Sequence, residues 1–202
     1  MIAIVDYDAG NINSVEKAVR HLGYDCRTTR NRDEIINASS LILPGVGAFG
    51  DAMGRLSEYG LVDVIKDHIS SGKPFLGICL GLQLLYEESE ENPGIRGLGI
   101  LRGTIKKIPK QDGLKVPNIG WISLQFPREG KLFSGIGEGS FVYFVHSYYL
   151  SAKDRDTVTA TIDYGTGIDA SVEKDNVFAC QFHPEKSSSV GLKILQNFLE
   201  IG

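Results

Sequence analysis

Phe75-Leu76-Gly77-Ile78-Cys79-Leu80-Gly81-Leu82-Gln83 joins two kinds of structure at one residue. The apolar run ending at Ile78 reads as a buried strand and residues 80–88 read as a helix, so Cys79 falls on the sharp turn between them. Glycines two residues before and two after leave room for a strained turn, the nucleophile-elbow pattern written with sulfur. The thiol is presented at a helix N-terminus, where the helix dipole and unpaired N–H groups favour the thiolate. A buried inert cysteine is the ordinary reading for a strand end. The flanking glycines reverse that preference.

Outward from this turn, strands and helices alternate. Residues 1–5 read as a first buried strand, and residues 12–22 as a helix with Val15, Val19 and Leu22 at helical spacing. Short strands follow at 26–29, 41–43 and 75–78, with helical stretches near Ile35 and over 61–69. This predicts an α/β fold with a mostly parallel central sheet and helices on both faces. After residue 98 the texture becomes β-rich, with segments at 103–108, 119–125, 141–150, 157–162 and 177–181. This half extends the sheet or adds another. A closing helix over 190–201 has Ser187, Ser188 and Ser189 as candidate N-caps.

A chain of 202 residues with 42% hydrophobic residues is read as a single domain over residues 1–202. The net charge of −4 and the lack of a basic stripe argue against nucleic-acid binding. Residues 1–6 lack a basic leader region, and no run approaches the roughly 20 apolar residues of a membrane span. A cytoplasmic protein without membrane contact is expected. Cys26, Cys79 and Cys180 are odd in number and widely spaced, which suggests neither a disulfide framework nor a metal site.

A nucleophilic thiol needs a base and a group that orients the base. Of four histidines, His21 and His68 read as solvent-facing helix residues, leaving His146 and His183. His183 ends the apolar run 177–182 and is followed by Pro184 and Glu185. In an extended segment residues two apart share a side, so Glu185 can accept the second ring N–H. Taken alone, His-Pro-Glu is an ordinary turn with a solvated carboxylate. A third element, Pro44-Gly45-Val46-Gly47-Ala48-Phe49-Gly50, follows the strand at 41–43 and matches a dinucleotide-binding glycine pattern. That pattern expects an acid at the end of the next strand, where this chain has Cys79. The alternative is that the loop's N–H groups, with the Leu80 amide, serve an oxyanion. Tight packing of a strand-to-helix turn is the plain structural reading.

Together, the elbow, the later His-Pro-Glu and the earlier Pro-Gly-x-Gly resemble the class I (triad-type) glutamine amidotransferases over essentially the whole chain. The flavodoxin-like fold of that class is implied. Within the class, residues 44–53, 77–85 and 183–188 look like the glutaminase subunits of imidazole glycerol phosphate synthase. The resemblance implies glutamine hydrolysis to glutamate and ammonia, with Cys79, His183 and Glu185 catalytic and no cofactor. The backbone at Val46 and Leu80 would hold the oxyanion. Gly47, Gln83, Glu91, His146 and Ser147 would bind L-glutamine, although Glu91 within an acidic run is by default a solvated helix end.

The implied partner is a cyclase subunit forming a heterodimer. It would use the ammonia to make imidazole glycerol phosphate and an aminoimidazole carboxamide nucleotide in histidine biosynthesis. Asn11, Asn13, Trp121 and Lys186 are candidates for the contact surface. The sequence departs from the family's usual residues at Asp8, Asn118 and Ile122, outside the triad. Paralogous subunits serving surface-sugar pathways, anthranilate-type subunits, a solitary cysteine hydrolase, an inactive scaffold and dinucleotide binding are the competing readings.

Overall fold

The computed structural model describes residues 1–201; Gly202, the last residue of the expected domain span, lies outside them. The first part of the chain alternates as expected. Strand β1 (Ile2–Val5), helix α1 (Ile12–His21), β2 (Cys26–Thr29), α2 (Arg32–Asn37), β3 (Ser40–Gly45), α3 (Phe49–Glu58), α4 (Leu61–Ser70), β4 (Phe75–Cys79) and α5 (Leu80–Leu84) follow in order. Then come β5 (Glu88–Ser89), β6 (Gly103–Lys107), β7 (Asn118–Ser123), β8 (Phe141–His146), β9 (Tyr148–Ala152), β10 (Val158–Asp163), β11 (Gly167–Lys174), β12 (Val177–Cys180) and α6 (Ser188–Leu199).

The large sheet runs β2-β1-β3-β4-β12-β11-β9-β6-β5, with β10 also on β11. Its first five strands are parallel, in the 2-1-3-4-5 order of flavodoxin-like sheets if β12 is counted fifth. Such strands are buried on both faces and read as continuous apolar runs. Alternate side chains divide them: Ala3, Val5, Leu41 and Leu43 pack in the core under α2, α3 and α4. Ile2, Ile4 and Ile42 pack with α1 and α6. From β12 to β6 the pairings turn antiparallel, and the short β5 then adds to β6 in parallel. No helix of the described residues is long and apolar enough to cross a membrane.

Several expectations are corrected. The helix after Cys79 ends at Leu84 rather than running to residue 88. The carbonyls of Leu84 and Leu85 accept from the amides of Leu98, Ile100 and Leu101, which draws the chain out of the helix. Residues 141–150 are two strands in different sheets. β8 pairs only with β7 as a separate antiparallel ribbon, while β9 joins the large sheet, with Ser147 at the break. β11, the longest strand, was not anticipated: Asp169, Ala170 and Ser171 are poor strand formers, yet residues 168–173 are all buried. His68 is not at the surface but 1% exposed, its ring nitrogens facing the carbonyls of Ile35 and Pro74. α6 begins at Ser188, and the Ser187 hydroxyl does not cap it; it donates to the His183 carbonyl and accepts from the Tyr143 amide.

Candidate active site

The C-terminal ends of β1, β3, β4 and β12 meet at one edge of the parallel sheet, where open α/β sheets bind ligands. Register sets neighbours at that edge: Gly45 at the end of β3 pairs with Cys79 at the end of β4. Cys79 adopts φ 54° and ψ −106°, a conformation that costs on the order of 1–3 kcal/mol for a non-glycine residue. Its neighbours make the turn possible. A β-carbon on Gly81 would lie 1.9 Å from the Leu43 carbonyl oxygen, and one on Gly77 would lie 2.7 Å from the Gly81 carbonyl oxygen.

β12 delivers the other half of the site. His183 follows it, held by its amide to the Tyr143 carbonyl at 3.0 Å. Pro184–Lys186 then forms a single 3₁₀ turn instead of extended chain, and this turn brings Glu185 back against the ring. His183 Nδ1 lies 2.8 Å from Glu185 Oε1, with both side chains essentially inaccessible. Asn11 Nδ2, from the loop after β1, donates to the same carboxylate oxygen. His183 Nε2 is buried and finds no hydrogen-bond partner among the described residues. Burial alone would lower the affinity of the ring for a proton, but Cys79 and Glu185 beside it outweigh this and push the pKa up to about 9.

Cys79 opens onto a cavity of about 180 Å³ lined by Val46, Gly47, Cys79, Leu80, Gln83, Val145, His146 and Ser147. This is below the roughly 300–1,000 Å³ of sites for drug-sized ligands and suits a molecule of amino-acid size. Larger hollows elsewhere hold none of these residues. The loop over the thiol is held from below, where the buried Tyr7 hydroxyl donates to the Pro44 carbonyl at 2.9 Å. Gly45 packs against that hydroxyl so closely that a β-carbon would lie 2.3 Å from it. Gly47 has φ +99° with open space around it.

Around the cavity the polar groups are fixed. His146 Nδ1 lies 2.9 Å from the Tyr148 carbonyl, so it carries the proton and leaves Nε2 to accept from Asn118 Nδ2 at 3.0 Å. Burial pushes its pKa down to about 4, the nearby His183 adds to this, and only the Tyr148 carbonyl opposes it. Gln83 Nε2 donates to the Tyr148 carbonyl and to Gln181 Oε1, both at 3.0 Å.

The structure thus brings together Cys79, His183 and Glu185, and groups Val46, Leu80, Gly47, Gln83, His146 and Ser147 around one cavity. Glu91 is not in that lining. Its carboxylate accepts from the Phe49 amide at 2.8 Å and supports the start of α3, where the N-cap residue Ala48 makes no side-chain bond. Sequence reasoning missed Tyr7, Asn11 as a partner of Glu185, and Gln181. Gln181 is fully buried, with Nε2 3.7 Å from Cys79 Sγ. A signal for it existed: a lone amide inside the apolar run 177–182 must find a buried partner, and it stands two residues before His183.

A family model described as class-I glutamine amidotransferase matches residues 3–201. Imidazole glycerol phosphate synthase subunit HisH of Caldanaerobacter subterraneus subsp. tengcongensis is 51% identical over 201 residues, covering 100% of this chain and 98% of that protein. The HisH subunit of Aquifex aeolicus is 51% identical over 196 residues, with coverages of 96% and 94%. Among solved structures, a glutamine amidotransferase superposes with a TM-score of 0.78 at 20% identity, covering 100% of this chain and 98% of that one. PurLQS from Thermotoga maritima gives 0.76 at 20% identity, with coverages of 99% and 97%. These two likenesses speak to the fold, and the near-full-length relatives carry the assignment further. The chain therefore belongs to the class-I glutamine amidotransferases and, within them, to the family of imidazole glycerol phosphate synthase HisH subunits.

Proposed function

We propose that this chain hydrolyses L-glutamine to glutamate and ammonia through a Cys79 thioester and passes the ammonia to a cyclase subunit that makes imidazole glycerol phosphate. The observation that carries this is the thiol of Cys79, open to an amino-acid-sized cavity and backed by the buried His183–Glu185 pair. Cys79 Sγ attacks the side-chain amide carbon, and the amides of Val46 and Leu80 hold the oxyanion. His183, which carries the proton at neutral pH, gives it to the departing nitrogen as the C–N bond breaks. His183 then takes a proton from water, which attacks the thioester and releases glutamate with the restored thiol. Glu185 orients His183, and Asn11 orients Glu185. Gln83, with its N–H groups engaged, offers its carbonyl oxygen to the substrate's α-ammonium group, and Gly47, His146 and Ser147 complete the walls. Glu91 acts through α3 and the loop before it. One domain over residues 1–202 does this work in the reducing cytoplasm, where a thiol nucleophile and the free Cys26 and Cys180 remain unoxidised.

Ammonia released into neutral water is protonated and loses its nucleophilicity, so the product needs an enclosed route to its acceptor. The ribbon of β7 and β8 supports docking of a partner beside the cavity mouth. Its outward face carries Ile119, Trp121 and Phe141, which are 60%, 50% and 56% exposed, an apolar cluster of the kind that marks interaction sites. The test is glutamate release by the chain alone and with the cyclase plus its nucleotide ligand, with Cys79→Ala as blank. Stimulation by the cyclase that vanishes in the blank is expected. Activity surviving in Cys79→Ala would overturn the chemistry, and turnover indifferent to the cyclase would overturn the partnership. Trp121→Glu should leave folding intact and weaken cyclase binding by more than tenfold, as loss of an aromatic anchor does.

A further inference from the structure

Besides the His183 ring, the cavity-facing thiol has two polar neighbours of opposite character. Cys79 Sγ lies 4.0 Å from the Val145 carbonyl, an acceptor that suits the neutral S–H. It also lies 3.7 Å from Gln181 Nε2, a donor that suits the thiolate. The helix that follows Cys79 has only five residues, so its dipole is a weaker source of stabilisation than a full helix.

The amide of Gln181 cannot turn its oxygen toward the sulfur without cost. Its Oε1 accepts from Gln83 Nε2, and Gln83 is itself fixed because the same nitrogen donates to the Tyr148 main-chain carbonyl. Flipping Gln181 would set two NH₂ groups against each other, and flipping both amides would set Gln83 oxygen against the Tyr148 oxygen. A backbone carbonyl on β9 thus dictates the orientation of two amides in series. A fully buried glutamine, 0% exposed, with its direction imposed in this way is more than filler.

We propose that Gln181 is a positioning residue for the nucleophile, its side-chain N–H holding Cys79 Sγ in the attacking orientation and stabilising the thiolate, with Gln83 and the Tyr148 carbonyl setting its direction. This deepens the glutaminase reading and rests on Cys79 being the nucleophile. It also gives Gln83 two tasks: one face toward the substrate and one toward Gln181.

The test reads the thiol directly. The rate of Cys79 alkylation by iodoacetamide, in which the S–C bond forms and iodide leaves, is followed against pH in the full chain, with Cys79→Ala as blank. Gln181→Met keeps length and removes the N–H, and Gln181→Glu keeps shape but can no longer donate when ionised. Losing a hydrogen bond to a charged group predicts a fall of about tenfold in alkylation at neutral pH. The Gln181→Met profile moves to higher pH, and Gln181→Glu is the slower of the two. A Gln181→Met profile that coincides with the wild type overturns the proposal, because a filling role would leave it unmoved.

Wild-type NMR provides the same decision if either variant fails to fold. Among five glutamines, one slowly exchanging side-chain NH₂ should shift as Cys79 titrates, and should stop responding once Cys79 is alkylated. No responding amide overturns the proposal. Failure of the glutaminase reading has its own signature, namely glutamine hydrolysis retained by Cys79→Ala. An unmoved alkylation profile beside an inactive Cys79→Ala removes only the role of Gln181.

Discussion

Glu185→Gln separates the charge of the proposed third triad member from its shape. The wild-type carboxylate sits 2.8 Å from His183 Nδ1 with no solvent access, and His183 has its pKa pushed up to about 9 from an ordinary 6.5. An opposite charge at such range shifts a pKa by about 1–3 units. A glutamine carbonyl still accepts the Nδ1–H bond and still receives the Asn11 donor, but the charge is gone and burial of the ring is left to act against the imidazolium. The sign follows: the raised pKa keeps His183 protonated up to about pH 9, and losing the carboxylate brings deprotonation to lower pH. With a fall of about two units, the protonated fraction at pH 8 drops from about 90% to about 10%, whereas at pH 6 it stays near 90%. The wild-type to variant ratio in kcat/KM for glutamate release, measured with the cyclase bound, should therefore rise by about tenfold between pH 6 and pH 8. A ratio that is large but flat across this range would mean that Glu185 acts by orientation alone, and would refute the electrostatic argument.

Two further predictions follow from the geometry. Gly81→Ala places a methyl group 1.9 Å from the Leu43 carbonyl oxygen; overpacking of about 1–3 kcal/mol, at about 2–4 °C per kcal/mol, should lower Tm by several degrees in calorimetry, and an unchanged Tm would show that the elbow needs no glycine there. His146, held neutral with its pKa pushed down to about 4, should show ring resonances that do not titrate between pH 6 and 9; a titration in that range would mean that its Asn118 and Tyr148 contacts do not persist in solution.

Much of the frame was legible because it rests on local chemistry. Two glycines around Cys79 and an apolar run before it specify a strand, a turn and a helix start, and the alternation before residue 90 specifies parallel strands. The misses have a common cause. The short α5 is ended by amides from residues 98–101, and β11 exists because its neighbours pair with it from both sides, so neither is written in its own segment. The split at Ser147 is similar: residues 141–150 read as one continuous β-rich stretch, and only long-range pairing sends β8 and β9 to different sheets. His68 looked like a helix-surface residue until the carbonyls of Ile35 and Pro74 gave its ring partners. Within the site, the neighbours of Cys79 in sequence were readable, whereas Tyr7 and Gln181 act through contacts 37 and 102 residues distant.

The ribbon of β7 and β8 stands outside the large sheet, yet meets the segment 183–187 through two hydrogen bonds of the Tyr143 main chain, His183 N to the Tyr143 carbonyl and Tyr143 N to the Ser187 hydroxyl. Its inner residues Val142 and Phe144 belong to the core, while Ile119, Trp121 and Phe141 face outward. The fold therefore divides labour between two pieces of backbone. In the reading proposed above, the edge of the parallel sheet makes the ammonia and the outer face of the ribbon docks its recipient. On that reading, substitutions at three outward positions would alter the recipient without touching the reacting atoms, and the ribbon would serve as an exchangeable adaptor on a fixed chemical engine.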